Sequence, residues 1–163
     1  MAALLRHSCV KLVRIADHRH PLWDGTGAGL FGGRWNSPGR AVIYASQNYS
    51  CAMLELLVHS NIGRVPKTHQ AITVEVPESV RIEKCELDQL PTGWDWEATS
   101  VSRAIGDRWL EEKRSVILLV PSVVVKMEWN AVVNPAHSDF ARLVVSDPVP
   151  VVWDRRLFGR RTS

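Results

Sequence analysis

The sequence predicts one compact α+β domain, and its length, composition and pattern of short apolar blocks support this. A chain of 163 residues lies in the size range of a single domain with a real core. Its hydrophobic fraction of 45% and charged fraction of 23% are ordinary for a globular protein. Many short strand patterns with only two helical stretches favour α+β over a regular alternation of strands and helices. We therefore expect a single domain over residues 1–163.

The first part of the chain predicts two strands separated by a long loop. Residues 10–15 form an apolar block typical of a strand. Residues 21–40 hold six of the ten glycines and two prolines, which is typical of a loop whose backbone can approach a ligand closely. Residues 41–45 (AVIYA) then indicate a short buried strand.

A helix follows, and it contains one conspicuous charge. Either Ser46 or Asn48 can cap its N-terminus, and the pattern continues to about His59. Its centre, residues 51–58, is apolar on every side except at Glu55. A helix that is apolar all round is normally buried. We therefore expect Glu55 to lie in the interior or to face a cleft.

The rest of the chain predicts short strands and a second helix. Residues 71–76 and 80–85 alternate in hydrophobicity, which indicates half-buried strands that we expect to be antiparallel neighbours. An apolar stripe predicts a helix over residues 98–113. Further apolar blocks predict strands over residues 116–120, 123–125, 132–133, 143–145 and 149–152.

Charge disfavours a nucleic-acid binder. The formal net charge is only +3, and the one basic cluster is Arg155, Arg156, Arg160 and Arg161. A nucleic-acid interface usually has a denser basic stripe with aromatic residues in it. We therefore expect a solvated C-terminal segment and no direct nucleic-acid binding, although a weak positive field suits an anionic small molecule or an acidic partner.

The cysteines and the N-terminal residues favour the cytoplasm. Cys9, Cys51 and Cys85 are odd in number and far apart, with no Cys-x-x-Cys pair, so they predict reduced thiols rather than a disulfide framework. No apolar run has the length of a signal peptide core or a membrane span. The sequence thus predicts a cytoplasmic protein without a membrane segment.

Three familiar motifs are weak here. Residues 27–32 match G-x-G-x-x-G, but they are not predicted to follow a strand and open a helix, as a dinucleotide-binding fold requires. His18 and His20 have no further ligand at a suitable spacing, so no metal site is predicted. No G-x-S-x-G elbow supports serine hydrolase chemistry.

Glu55 leaves two explanations open. An ionised carboxylate in an apolar setting costs several kcal/mol unless it has a partner or a task. It can form a buried salt bridge, with Arg14 or Arg34 as candidate partner, or it can serve a functional site. The role of Tyr44 is similarly open between a functional site and the core, since a core tyrosine with a hydrogen-bonded hydroxyl explains its position equally well.

Several blocks in a fixed order resemble the signature of RES-domain toxins, from about residue 11 to residue 157. The blocks are residues 32–39 (GGRWNSPG), 42–46 (VIYAS), 53–59 (MLELLVH), 103–110 (RAIGDRWL), 119–122 (LVPS) and 134–137 (NPAH). Each block alone is weak, but their order is specific. The resemblance implies a fold similar to that of ADP-ribosyltransferases, with a cleft between small sheets.

The resemblance also implies site residues and a reaction. The family is named for an arginine, a glutamate and a serine, which correspond here to Arg34, Glu55 and Ser122, with Ser115 as the alternative serine. Arg14 and Tyr44 are further expected contacts of the substrate. The implied substrate is NAD⁺, with no bound prosthetic group, and the implied reaction cleaves the nicotinamide–ribose bond and stops growth.

These residue types suit that chemistry. Nicotinamide leaves as a neutral molecule, so no general acid is needed, and a single carboxylate at Glu55 can stabilise the cationic sugar. Arg34 and Arg14 are expected to bind the diphosphate, since forked guanidinium groups match it. Tyr44 is expected to stack on the nicotinamide, and Ser122 to bond a ribose hydroxyl or the carboxamide.

Three functional hypotheses remain at this point. The acceptor of ADP-ribose is water or phosphate in the first, and a target protein in the second. In the third the chain is a non-catalytic binding module whose Arg34–Glu55 pair is structural. The resemblance further implies a cognate antitoxin with a DNA-binding helix-turn-helix region that blocks the cleft.

Tryptophans near turns are candidate contacts of that antitoxin. Trp35, Trp94, Trp96 and Trp129 are expected to be partly exposed, and tryptophan is enriched at interface hot spots. Ordinary core filling explains them equally well.

Overall fold

One eight-stranded sheet organises the chain in the computed structural model, which describes residues 9–60 and 65–158. This confirms the predicted α+β class. The helices and strands are β1 (Val10–Asp17), α1 (Thr26–Phe31), β2 (Ile43–Ser46), α2 (Tyr49–Ser60), β3 (His69–Val76), β4 (Ile82–Lys84), α3 (Ser100–Glu112), β5 (Ile117–Pro121), β6 (Trp129–Val133), β7 (Val144–Val145) and β8 (Val149–Pro150).

The sheet order places β6 between β5 and β2. The strands run β4-β5-β6-β2-β1-β3-β7, and β8 also pairs with β3. Every pair is antiparallel except β4 with β5. Asn130 on β6 lies opposite Ser46 of β2 on one side and Val120 of β5 on the other. Residues distant in sequence therefore meet at this point of the sheet.

Two predicted strand features are wrong. Residues 71–76 and 80–85 are not neighbours, because β3 pairs with β1, β7 and β8, whereas β4 pairs with β5. Alternating hydrophobicity tells which face of a strand is buried but not which strand lies beside it. Residues 123–125 form a bend and not a strand, and the Val125 N–H donates to the Ser122 hydroxyl at 2.8 Å.

The glycine-rich segment contains a helix that the sequence did not predict. α1 begins two residues after Asp24, whose carboxylate accepts hydrogen bonds from the N–H and hydroxyl of Thr26. The expectation that these glycines open no helix is therefore wrong. The segment still lacks the context of a dinucleotide-binding fold, since the strand beside β1 on each side is antiparallel to it.

Two apolar clusters form the core, one on each face of β5. Leu118 and Val120 pack with Trp109 of α3, whereas Ile117 and Leu119 pack with the cluster that includes Leu12 of β1. Alternate residues of a strand point to opposite faces, so both faces of β5 are buried. This buried strand ends beside the cavity described below.

α2 is more exposed than its sequence predicts. Asn48 caps it, because the Asn48 side-chain oxygen accepts the Cys51 N–H at 2.8 Å. Cys51 and Ala52 are buried, but Leu54 and Val58 are 42% and 59% exposed. The expectation of a fully buried helix is therefore wrong, and one apolar side of α2 faces outward.

The described part of the chain has further features that bear on the sequence predictions. All three cysteines are free thiols, as expected. Among the described helices none is long and apolar enough to cross a membrane. Arg155 and Arg156 are exposed, whereas Arg160 and Arg161 of the same basic cluster lie outside the described residues.

Candidate functional site

A cavity of about 540 Å³ lies between α2, the glycine-rich segment and the strands β1 and β2. Its lining includes four of the residues expected at a site: Arg14, Arg34, Tyr44 and Glu55. Asn130 contributes to the same wall as Glu55. The fold therefore brings these four side chains together, although Arg14 and Glu55 are 41 positions apart in the sequence.

Glu55 has a partner on each of its oxygens. Its side chain is 17% exposed. Oε1 accepts hydrogen bonds from the Ser122 hydroxyl at 2.8 Å and from the Asn130 amide at 2.5 Å. Oε2 lies 3.3 Å from Nε2 of His59, one turn further along α2. The carboxylate is thus fixed on one oxygen by groups from β5 and β6, and the other oxygen faces an exposed imidazole.

These partners keep the carboxylate ionised. Burial alone raises the pKa of Glu55, but hydrogen bonds from His59, Asn130 and Ser122 outweigh it and leave that pKa below its ordinary value. The hydrogen bond to Glu55 raises the pKa of His59 in turn, against the opposing effect of burial. Glu55 is therefore a charged group at neutral pH.

The two candidate serines occupy different environments. Ser122 follows β5 directly, and because its oxygen accepts the Val125 N–H, its single proton is directed to Glu55. Ser115 is also buried, but its hydroxyl accepts from the Trp109 indole at 2.8 Å and donates to the Ile117 carbonyl at 2.9 Å. Of the two, Ser122 is the one that contacts the carboxylate.

Tyr44 lines the part of the cavity beside the glycine-rich segment. Its hydroxyl donates to Oδ1 of Asn36 at 2.6 Å and accepts the Trp35 N–H at 3.0 Å. Burial raises the pKa of Tyr44 to about 12. Asn36 is fully buried and its amide donates to the carbonyls of Ala28 and Arg40. The Tyr44 hydroxyl therefore serves the fold of the glycine-rich segment.

Neither arginine pairs with Glu55 in the hydrogen bonds and salt bridges of the described residues, so that expectation is wrong. Arg14 donates from Nε to the Leu22 carbonyl and from Nη1 to the Tyr44 carbonyl, at 2.6 and 2.7 Å. Burial lowers the pKa of Arg14. Arg34 donates from Nη1 to the carbonyls of Trp94 and Trp96. Backbone carbonyls, rather than a carboxylate, orient both guanidinium groups.

α3 holds the glycine-rich segment in place from outside. Asp107 accepts the N–H and the hydroxyl of Ser37 at 2.9 and 2.6 Å, and Arg103 donates to the Gly33 carbonyl at 2.8 Å. At Gly106 the helix backbone approaches Trp35 so closely that an added Cβ would lie 1.8 Å from the Trp35 carbonyl oxygen. This wall of the cavity depends on α3.

The four tryptophans differ in exposure. Trp35 is 3% exposed and stacks on Trp94 with ring centroids 6.2 Å apart, so the expectation that it is partly exposed is wrong. Trp94 and Trp129 are half-buried, and Trp96 is 61% exposed. Trp96 is therefore the one whose ring is mostly available to a partner.

Three residues of the site were not predicted. His59 had a usable signal, since residues i and i+4 on a helix are neighbours. Asn130 and Ser46 had none, because their contacts depend on the pairing of β2 with β6. Within the described ranges no three His, Cys, Asp or Glu side chains form a group that could hold a metal ion.

Comparison with known proteins identifies the family. The family model of the RES domain matches residues 11–154. This chain belongs to the RES-domain toxins. The match spans the cavity, from β1 to the segment beyond β8.

Curated relatives of this RES-domain toxin carry toxin names. It is 43% identical over 119 residues to the Prs ADP-ribosylating toxin of a Sphingobium species, covering 71% of this chain and 74% of the relative. It is 37% identical over 150 residues to Toxin Res of Yersinia enterocolitica, covering 90% and 98%.

A solved structure shares the fold. A chain of the M. tuberculosis MbcT–MbcA toxin–antitoxin complex aligns with a TM-score of 0.74 at 18% identity, covering 93% of this chain and 87% of that chain. At that level of identity the likeness concerns the fold alone.

Proposed function

We propose that this RES-domain toxin consumes NAD⁺ by breaking its nicotinamide–ribose bond, with Glu55 as the catalytic carboxylate. The observation that carries the proposal is the state of Glu55. It is ionised, fixed on one oxygen, and set in the wall of a cavity that also presents Arg34 and Tyr44.

A single carboxylate suits this reaction. When the bond between C1′ and the pyridinium nitrogen breaks, its electron pair leaves with nicotinamide, which becomes neutral and needs no proton. The ribose is left with oxocarbenium character, which a fixed negative charge stabilises. A nucleophile then bonds to C1′ and its proton passes to solvent. Because Glu55 is already oriented, it needs little reorganisation as the cation develops.

The other cavity residues support binding and orientation. Only Nη1 of Arg34 carries a hydrogen bond within the described residues, so its remaining N–H groups can bind the diphosphate of NAD⁺. Arg14 has fewer free donors, and its main role is to support β2 while adding positive charge to the cavity. The Tyr44 ring suits stacking on the nicotinamide.

The proposal is tested by measuring free nicotinamide after incubation of the purified protein with NAD⁺. We expect release by the wild-type protein and a large loss in Glu55→Gln, which keeps an oxygen acceptor for Ser122 and Asn130. Glu55→Gln must melt near the wild-type temperature for the comparison to count. Equal nicotinamide release by both proteins would refute the role of Glu55.

Transfer of ADP-ribose to a protein is a second candidate, because the 43% identical relative is named an ADP-ribosylating toxin. The bond that breaks is the same, and only the nucleophile differs. Labelled NAD⁺ added to a cell lysate with the toxin will yield labelled protein bands if a protein is the acceptor. If water or phosphate is the acceptor, label will appear only in small molecules.

We further propose a protein antitoxin that covers the cavity. Phe31 and Val58 line the cavity and are 79% and 59% exposed, and Trp96, whose carbonyl accepts a hydrogen bond from Arg34 of the lining, is 61% exposed. A partner that buries them will block the entry of NAD⁺. A candidate antitoxin can be co-expressed with this chain and its affinity measured. Phe31→Ala and Trp96→Ala should weaken the binding, whereas Leu87→Ala, at a 50% exposed leucine outside the cavity lining, serves as a control.

A further inference from the structure

We propose that Asn130 is a positioning residue for Glu55, which fixes Oε1 of the carboxylate so that Oε2 is the oxygen presented to the substrate. This inference rests on the proposed function, since it assigns different roles to the two oxygens of the same catalytic carboxylate. It concerns a residue that lies on β6, 75 positions away from Glu55 in the sequence.

The orientation of the Asn130 amide follows from its neighbours. Its Nδ2 donates to Oε1 of Glu55 at 2.5 Å, and its Oδ1 accepts the Ser46 hydroxyl at 2.7 Å. A reversed amide would direct a carbonyl oxygen at an ionised carboxylate, which is repulsive. Both ends of the Asn130 side chain therefore have a partner within the protein, and the amide nitrogen is directed at Glu55.

The support behind Asn130 is buried. Ser46 is 3% exposed, and the thiol of Cys51 on α2 lies 3.6 Å from Oδ1 of Asn130. Ser46 and Asn130 face each other across the β2–β6 pair, so the sheet itself sets the distance between them. A side chain whose rotamer is fixed by a buried neighbour on a rigid strand holds its own partner closely.

Asn130 and Ser122 together make the two oxygens of Glu55 unequal. Both donors converge on Oε1, from β6 and from the residue after β5. Among the described residues Oε2 has His59 as its only partner, and the His59 side chain is 75% exposed. The structure thus assigns Oε2 as the oxygen that approaches the ribose, and Asn130 as the group that keeps the carboxylate turned that way.

The test measures Glu55 directly as well as the reaction. Protein labelled with ¹³C in its glutamate carboxyl groups is titrated by NMR, and the Glu55 signal is assigned by its absence in Glu55→Gln. Asn130→Ala removes the donor, and Asn130→Asp replaces it with an oxygen. Asn134→Asp is the matched control, because Asn134 is also buried and follows the same strand but lies outside the cavity lining.

We expect the pKa of Glu55 to rise by about one unit in Asn130→Ala and by at least as much in Asn130→Asp, since a donor to the charged form is lost. The value should stay at its wild-type position in Asn134→Asp. For nicotinamide release, kcat should fall roughly ten- to hundredfold in both Asn130 variants while KM for NAD⁺ changes little, because orientation rather than binding is lost.

Each outcome decides the inference. An unchanged Glu55 pKa in Asn130→Ala overturns it, and so does a rise in KM without a fall in kcat. If the wild-type protein releases no nicotinamide, the proposed function fails, yet the titration still shows whether Asn130 fixes the carboxylate. Should Asn130→Asp not fold, Asn130→Ala decides alone, and Ser46→Ala, which frees the amide without removing it, is expected to shift the same pKa by less.

Discussion

The two walls of the cavity are built in different ways. On the Glu55 wall, side chains bond to side chains around a charge, and one carboxylate oxygen lies beside an exposed imidazole. On the wall beside the glycine-rich segment, the polar groups of Tyr44 and Asn36 bond to each other and to the backbone of that segment. The first wall leaves an oxygen of the Glu55 carboxylate available to a ligand. The second wall uses its hydrogen bonds to hold the glycine-rich segment in place.

Because the two walls are built differently, substitutions in them should affect activity and stability to different degrees. Substitutions on the Glu55 wall should change the reaction more than the fold, because the charge is maintained by few groups. Substitutions on the loop wall should change the fold first, because each removes a partner from a buried polar group.

Glu55→Gln should have the largest effect and leave stability nearly intact. The amide oxygen can still accept from Ser122 and Asn130, but the negative charge that stabilises the sugar cation in the proposed reaction is gone. We expect nicotinamide release to fall about 10²–10³-fold, or ~3–4 kcal/mol, with little change in melting temperature. Thermal melts and rate measurements on the same sample check this. An unfolded Glu55→Gln protein would support a structural role for the carboxylate and the binding-module hypothesis.

Gly106→Ala should destabilise the fold by disturbing the contact between α3 and the glycine-rich segment. The added methyl group would lie 1.8 Å from the Trp35 carbonyl, so α3 must move away from the segment that it supports. We expect a loss of ~3 kcal/mol in the free energy of unfolding, measured by urea denaturation. Gly27→Ala in α1 is the control, because no atom lies within 4 Å of its added Cβ, and it should be close to neutral.

Tyr44→Phe should destabilise the protein while the ring stays in the cavity. Removal of the hydroxyl leaves the Asn36 oxygen without its 2.6 Å donor and the Trp35 N–H without its acceptor. We expect a loss of ~1–3 kcal/mol in unfolding free energy, with kcat changed less than in Glu55→Gln. Tyr49→Phe, at an exposed tyrosine, controls for the loss of a hydroxyl. A stable Tyr44→Phe protein that releases no nicotinamide would contradict the contrast.

His59 should give the smallest effect, seen as a pH dependence. Its pKa is raised by Glu55, so the ion pair stabilises the fold below the ordinary histidine value and is lost as pH rises through the raised pKa. A protonated His59 also opposes the pyridinium cation of NAD⁺ at Oε2. We expect KM for NAD⁺ to fall as pH rises through this range, by up to about fivefold, since exposed pairs contribute only ~0.2–1 kcal/mol. His59→Gln should lack that change, and an identical pH profile in both proteins would count against it.

The sequence and its resemblance allowed Glu55 and Ser122 to be named, but not the hydrogen bonds that join Glu55 to its neighbours. Glu55 stands out because an isolated charge in an apolar helix needs an explanation, and this local signal survives in the fold. Its partners Ser122 and Asn130 reach it only through the end of β5 and the β2–β6 pairing, which are properties of the whole sheet. The salt bridges proposed for it with Arg14 or Arg34 were wrong for the same reason.

Other errors also trace to tertiary structure. The sequence could not show that β4 crosses to pair with β5, because hydrophobic alternation is the same for either neighbour. It could not predict the outward side of α2, since an apolar helix is normally buried and this one lines a cavity instead. The short α1 was hidden by glycines that usually indicate a loop.

The place of β6 between β2 and β5 has a consequence for the assembly of the sheet. Residues 129–133 fill the gap between β2 and β5, and they carry Asn130. Before β6 pairs, β2 can pair with β1 and β4 with β5, but no strand joins these two groups. A chain that stops before residue 129 therefore lacks both the junction of the sheet and the amide that contacts Glu55.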